Sequence, residues 1–279
     1  MPESQTHNTN TANVGGRNTS GIVIGVVVGI VLGFLGGFFL ANGINREEHA
    51  KLTAELAAAR AGGASQRGGA GKNQQASAPG GELSQTVTEE QMQNAVKRAD
   101  QSPQDVELQK KVGQGLLMYA SETGNASYLS DGARILKRAH DLDPKDYKTT
   151  VMAGDAQFLV ERQGGGDTKL IAEARKLYEA ALAAKPDDPI VRTKLGLTYF
   201  YDAPANPQRA VGEYRRALQS DPRQEMTLQS LAAALIETGG LDEAARRLDE
   251  LEKVNASNTE LPGLRAQLEQ KRNAAKEKQ

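Results

Sequence analysis

The side chains able to do chemistry are few and scattered. His7, His49 and His140 are the three histidines in 279 residues, and no two have a metal-ligand spacing. Cysteine is absent, which removes a thiolate nucleophile, a disulfide framework and a zinc or iron–sulfur ligand set. Ser20, Ser121 and Ser127 lie in no nucleophile elbow. Asp155 and Asp202 have no acid or base partner in pattern. His140 follows Lys137-Arg138-Ala139 near an expected helix C-terminus, where it would meet the helix dipole. The sequence therefore predicts no catalytic residue, no cofactor-binding residue and no metal site, and so no enzyme. Nor does it predict a nucleic-acid partner: 34 Lys+Arg against 35 Asp+Glu leave a net charge of −1, and aromatics at 4% with no Trp cannot build a stacking surface.

The elements that would carry any function are more legible than the chemistry. Residues 1–20 are rich in Thr, Asn, Ser and Gly without apolar periodicity, which predicts a disordered tail. No charge occurs from Asn18 to Asn45, and Ile22–Ala41 is an apolar run in which 14 of 20 residues are Ile, Val, Leu or Phe. At about 1.5 Å per residue such a run matches one hydrocarbon core, so 21–43 is expected to be a single transmembrane helix. A signal-peptide core is usually shorter than this run, and Ala41-Asn42-Gly43 is an imperfect cleavage site. Gly25, Gly29, Gly33 and Gly37 recur every fourth residue along one stripe, making them candidates for helix–helix association and a homo-oligomer. Arg46, Lys51 and Arg60 outnumber Arg17, leaning by the positive-inside count toward a cytoplasmic C-terminal part. A short tail before one apolar segment is also a signal-anchor layout, which exports the chain beyond the span.

Residues 44–61 favour a helix continuing out of the membrane. Within the linker 62–87, the stretch 61–81 holds seven glycines and five alanines, the composition of a flexible tether.

From 88 to 279 the pattern is helical and repeats. Ser102-Pro103, Asp143-Pro144, Lys185-Pro186 and Asp221-Pro222 each end an amphipathic run. Before the last two prolines stand Ala174, Tyr178, Ala181 and Ala210, Tyr214, Ala217 at the same offsets. Gly132, Leu136, Ala139 and Ala244, Leu248, Leu251 hold the same phase before Pro144 and Ala256. Small, large and small residues at i, i+4 and i+7 make a narrow face for close helix packing. The preceding helices carry Val112-Gly113, Ala153-Gly154, Leu195-Gly196 and Leu231-Ala232.

These residues resemble the tetratricopeptide repeat (TPR) family, whose pattern runs L-G-x₂-Y, then A-x₃-F, then P. Leu195, Gly196, Tyr199, Ala210, Tyr214, Ala217 and Pro222 carry the closest copy, no copy has the family's tryptophan, and the last lacks its proline. The resemblance implies an all-α solenoid of about four helical hairpins plus end-capping helices. Additions over the repeat length fall around 123–130, 164–169 and 203–207, and are expected to project from one edge. Thr88-Glu89-Glu90-Gln91 reads as a capping box and Thr259 to Lys278 as a closing helix.

The resemblance also implies a concave face made by the first helix of each pair. Its candidate groove residues are Leu117, Met118, Val151, Asp155, Phe158, Leu159, Leu197, Phe200, Tyr201, Gln229 and Ile236, suited to a protein or peptide partner. TPR carboxylate clamps need a basic and amide set; Lys110 and Lys194 are basic, but Val151, Asp155 and Leu197 break it, so capture of a C-terminal carboxylate is not expected. The whole layout is similar to bacterial inner-membrane TPR proteins, including the TPR subunits of cytochrome c maturation that hold apocytochrome. It implies a membrane-anchored scaffold with a periplasmic solenoid. A periplasmic chaperone and a self-assembling membrane protein are the alternatives.

Overall fold

The computed structural model describes residues 87–165 and 169–277. The expected tail, span, juxtamembrane helix and tether lie outside them, as do Gly25, Gly29, Gly33 and Gly37. Among the described residues no helix is long and apolar enough to cross a membrane.

A single helix, α1 (Glu89–Gln101), opens the array. Four hairpins come next: α2 (Val106–Thr123) with α3 (Ala126–Leu142), α4 (Tyr147–Val160) with α5 (Lys169–Ala184), α6 (Pro189–Phe200) with α7 (Pro207–Ser220), and α8 (Glu225–Thr238) with α9 (Leu241–Val254). α10 (Leu261–Lys276) closes it. Each helix packs on its sequence neighbours, and α2 meets α4, α6 meets α8 and α8 meets α10. The first helices of the hairpins therefore form one layer and α3, α5, α7 and α9 the other.

One turn joins hairpin to hairpin. The N–H groups of Asp105, Asp146, Asp188, Gln224 and Asn258 donate to the carbonyls of Ser102, Asp143, Lys185, Asp221 and Asn255. Proline follows the acceptor in the first four and Ala256 in the fifth, so the turn does not need the ring. The residue that closes the turn then caps the next helix: Asp105, Asp146, Asp188 and Gln224 accept from backbone N–H groups of its first turn. Asn258 accepts from Glu260 and Leu261. The capping box at Thr88 and Gln91 is formed in full, Asn206 caps α7 ahead of Pro207, and Pro262 sits in the first turn of α10.

The small residues of the repeat sit under large ones. A Cβ on Gly154 would lie 2.8 Å from Cε1 of Tyr178, and one on Gly113 would lie 2.6 Å from Cγ of Leu136. Gly196 has the same relationship to the ring of Tyr214. These contacts let the two helices of a hairpin approach closely, and Tyr178 and Tyr214 are wholly buried.

The first addition does not form a projecting loop. α2 runs 18 residues and α3 runs 17, with only Gly124 and Asn125 between them. The extra residues lengthen both helices, because Tyr119 and Tyr128 pack edge to face at 5.2 Å and Leu129 is buried. Gly124 supplies the left-handed C-cap at φ 70°. The second addition extends α4 through a π-helical turn, Glu161–Gly165. The third, around 203–207, folds back so that the Asn206 N–H donates to the Tyr199 carbonyl.

Candidate interaction groove

Most of the expected groove residues are core. Leu117, Met118, Val151, Phe158, Leu159, Leu197 and Ile236 are buried apolar side chains, and Asp155 is fully buried. Phe200, Tyr201 and Gln229 are half-buried. The correction has a physical reason. α4 is buried on every face from Thr149 to Leu159, with α3 and α5 on one side and α2 beside it. Side chains assigned to the open face thus fill the joints between hairpins.

Asp155 is the centre of a buried polar cluster. Tyr178 Oη on α5 donates to its Oδ1 at 2.7 Å, and Lys194 Nζ on α6 donates to its Oδ2 at 3.0 Å. The side chains of Lys194 and Asp155 are 1% and 0% exposed, so the pair is shielded from solvent screening. Burial, reinforced by the Asp155 charge, pushes the Tyr178 phenol well above its ordinary pKa and keeps it a donor. The cluster ties the second hairpin to the third. Local pattern hides it, because Asp155 and Lys194 are 39 residues apart, more than one repeat. Aligning the copies on their prolines places the two one helical turn apart on successive first helices, which is the signal that could have found the pair.

The second clamp-like lysine is also taken. Lys110 lies 2.6 Å from Asp146 and 3.2 Å from Asp143, and its hydrogen bond to Asp146 leads the causes that hold its pKa above the ordinary lysine range. Lys110 and Lys194 therefore brace hairpin joints. Further joints use Tyr147 Oη to Asp188 Oδ2 at 2.5 Å and Thr193 Oγ1 to Thr227 Oγ1 at 2.6 Å. Asp202 pairs with Arg175 at 2.5 Å, supplying the partner that its sequence context did not reveal. His140 Nδ1 sits 3.0 Å from Thr150 Oγ1, and burial pulls its pKa below the usual value. A depressed pKa favours neutral imidazole, so the expected dipole interaction of a cationic ring is not the main feature of that site.

The half-buried aromatic side chains form one group. Tyr201 meets Phe200 at 5.1 Å and Phe158 at 6.1 Å between ring centroids, both edge to face. The Arg162 guanidinium lies 3.9 Å from the Tyr201 centroid. Arg162 lies just before the second addition and Tyr201 just before the third, so the segments that lead into two of the additions converge. Around the corner Tyr199 is flanked by Arg175 at 4.3 Å and Arg209 at 4.4 Å, and its phenol donates to Glu179 at 3.2 Å.

Among the described residues no group of three or more His, Asp or Glu side chains could hold a metal ion. What the arrangement offers is a set of aromatic rings and guanidinium groups held on helices.

No family model matches the chain. No curated protein matches it. Solved structures do resemble it. A crystal structure of MamA is 19% identical, with a TM-score of 0.48, and the match covers 61% of this chain and 90% of that one. TTC0263, a thermophilic TPR protein of Thermus thermophilus, is 15% identical over 65% of this chain and 88% of its own, with a TM-score of 0.47. YrrB, described as a TPR protein with an unusual peptide-binding site, is 17% identical over 65% of this chain and 86% of its own, with a TM-score of 0.45.

Proposed function

We propose that this chain is a TPR-type interaction scaffold held at a bacterial inner membrane by a single span, 21–43, with its helical array on the periplasmic side. The tether 62–87 gives the array reach, and the first helices of the hairpins take a protein segment. The observation that carries the reading is the aromatic group Phe200 and Tyr201, half-buried on a layer whose neighbouring positions are rigid core. Rigid scaffolds with a few partly exposed aromatic anchors bind at low entropic cost. Anchoring adds effective concentration toward a membrane-associated partner without new contacts. The charge-free apolar run supports the span, and the signal-anchor layout supports export of the array.

Two measurements test this. A photo-crosslinking amino acid at Gln229, and in parallel at exposed Arg209, is introduced into the full chain in cells. A discrete adduct from position 229 and not 209 is expected; equal or absent labelling from both overturns the groove. C-terminal alkaline phosphatase and green fluorescent protein fusions report the side of the membrane. Phosphatase activity without fluorescence is expected, and the reverse places the array in the cytoplasm.

A further inference from the structure

The same turn builds every joint, so the joints can be compared position by position. At the first joint the space between α1 and α3 is filled from within. Arg138 on α3 stands six residues before Pro144, and Gln109 on α2 six residues after Pro103. Arg138 donates to Gln109 Oε1 at 3.2 Å and to Asp100 Oδ1 on α1 at 3.1 Å. Gln109 Nε2 donates to the Ser102 carbonyl at 2.9 Å. Arg134 adds bonds of 2.5 and 3.1 Å to the Asp100 carboxylate. Its hydrogen bond is the chief reason that the Asp100 carboxyl is held below its ordinary pKa. The outer side of this joint therefore receives a carboxylate on two guanidinium groups.

The third hairpin repeats the arrangement without its acid. Arg216 on α7 stands six residues before Pro222, and Arg192 on α6 six residues after Pro186. Arg192 takes the place of Gln109 and donates to the Pro186 carbonyl at 2.6 Å. Asp100 stands three residues before Pro103, whereas exposed Ala183 stands three before Pro186. Gly212 stands where Arg134 would, so the second guanidinium comes from Arg192 instead. Between the turn 185–188 and the end of α7 lies an open cavity of about 620 Å³, lined by Pro186, Asp187, Arg192, Arg216, Gln219 and Ser220. The two arginines share one carboxylate: Glu213 meets Arg192 at 3.1 Å and Arg216 at 3.3 Å. The Arg216 side chain is 63% exposed, and its other N–H groups have no acceptor among the described residues.

We propose that this cavity is a docking site for an acidic side chain of a partner protein, with Arg216 and Arg192 receiving the carboxylate as Arg138 and Arg134 receive Asp100. The site lies beside α7, apart from the groove proposed above, and does not depend on it. A guanidinium presents its donors as a planar fork, which matches a carboxylate. The carbonyl end of α7 does not forbid an anion here, since the corresponding end of α3 holds Asp100. Asp187 is the opposing charge. It is exposed, makes no ion pair among the described residues, and lines the cavity.

The test selects random peptides displayed on phage against the full chain in lipid nanodiscs, in parallel with its A183D variant. A183D restores the acid of the first joint and should occupy the site from within. Peptides that bind the full chain and not A183D are expected to carry Asp or Glu. Exchanging that acid for its amide should weaken binding about fivefold at roughly 20 mM salt by fluorescence anisotropy, the size of an exposed ion pair under weak screening. R216Q should erase the difference and D187N should increase it. Both side chains are exposed, and melting temperatures confirm that the variants fold. An acid exchange without effect, or a preference that survives in both A183D and R216Q, overturns the site. Peptides that bind the full chain and A183D alike belong to the inner face, and recovery of those alone overturns the site while leaving the groove. Recovery of no peptide overturns both.

Discussion

Lys194 places its ammonium 3.0 Å from Asp155 Oδ2 across the joint between the second and third hairpins, with both side chains buried. Such a pair adds little over apolar residues of similar volume, but a lone survivor is costly. Asp155→Ala is expected to lose about 3–5 kcal/mol in urea unfolding. Asp155→Leu combined with Lys194→Met and Tyr178→Phe, which also removes the hydroxyl that Asp155 accepts from, should recover most of that loss. A triple variant as unstable as the single would show that the polar cluster itself stabilises the joint.

Gly196 and Gly212 sit in the same hairpin and should respond oppositely to alanine. At Gly196 a Cβ collides with the Tyr214 ring, whereas at Gly212 it meets nothing within 4 Å. Gly196→Ala should destabilise by about 1–3 kcal/mol through overpacking. Gly212→Ala should stabilise by about 0.5–1 kcal/mol through helix propensity. Thermal unfolding reads both, and equal effects would mean that the close approach of α6 and α7 does not set the glycine.

The boundaries of the array are legible in the sequence because they rest on local chemistry. Pro103, Pro144, Pro186 and Pro222 stop helices wherever they fall, and Asp105, Asp146 and Asp188 cap them from the adjacent residues. The groove is less legible. A helical period says which positions share a face, but α4 has buried residues on all of its faces, and periodicity cannot separate an open face from one covered by the neighbouring hairpin. The first addition departs from its expected loop for a related reason. Gly124 at φ 70° ends α2 within one residue, so a stretch longer than the repeat becomes helix instead of loop. The Arg162–Tyr201 stack joins the segments that lead into two additions, a contact which the repeat pattern does not describe.

Asp188 serves two structures at once. Its Oδ1 accepts from the N–H groups of Ile190 and Val191 at 2.9 Å, and its Oδ2 accepts from Tyr147 Oη. Asp188→Ala should therefore cost more than a simple cap, at about 2 kcal/mol, while Asp105→Ala, which loses the bond from Leu108, should cost about 1 kcal/mol. Urea midpoints of the two variants compare them, and equal losses would remove the Tyr147 bond from the account.

His140 predicts a specific pH response. Its folded pKa lies below 6.5 because burial disfavours the imidazolium; Lys137 adds to this and Asp141 opposes it. Between the folded value and 6.5 the unfolded chain binds more protons, so stability rises with pH across that window and is complete above it. Lowering the pH from about 7.5 through 6.5 should destabilise the native chain, and His140→Gln should flatten that limb. An unchanged limb in the variant would assign it elsewhere. At lower pH a second loss is expected as Glu243, held down chiefly by its hydrogen bond from Arg215, becomes protonated below its ordinary value of 4.5.

The shared turn also has a kinetic side. The ties that lock hairpin to hairpin, Thr193 to Thr227, Lys194 to Asp155 and Tyr147 to Asp188, span 34, 39 and 41 residues. No closure over a long stretch of chain is needed to make any of them, so the entropic cost of each search stays small. Each hairpin can dock on the one before it as soon as it leaves the ribosome or a translocation channel, and the array can fold in the order in which it is delivered.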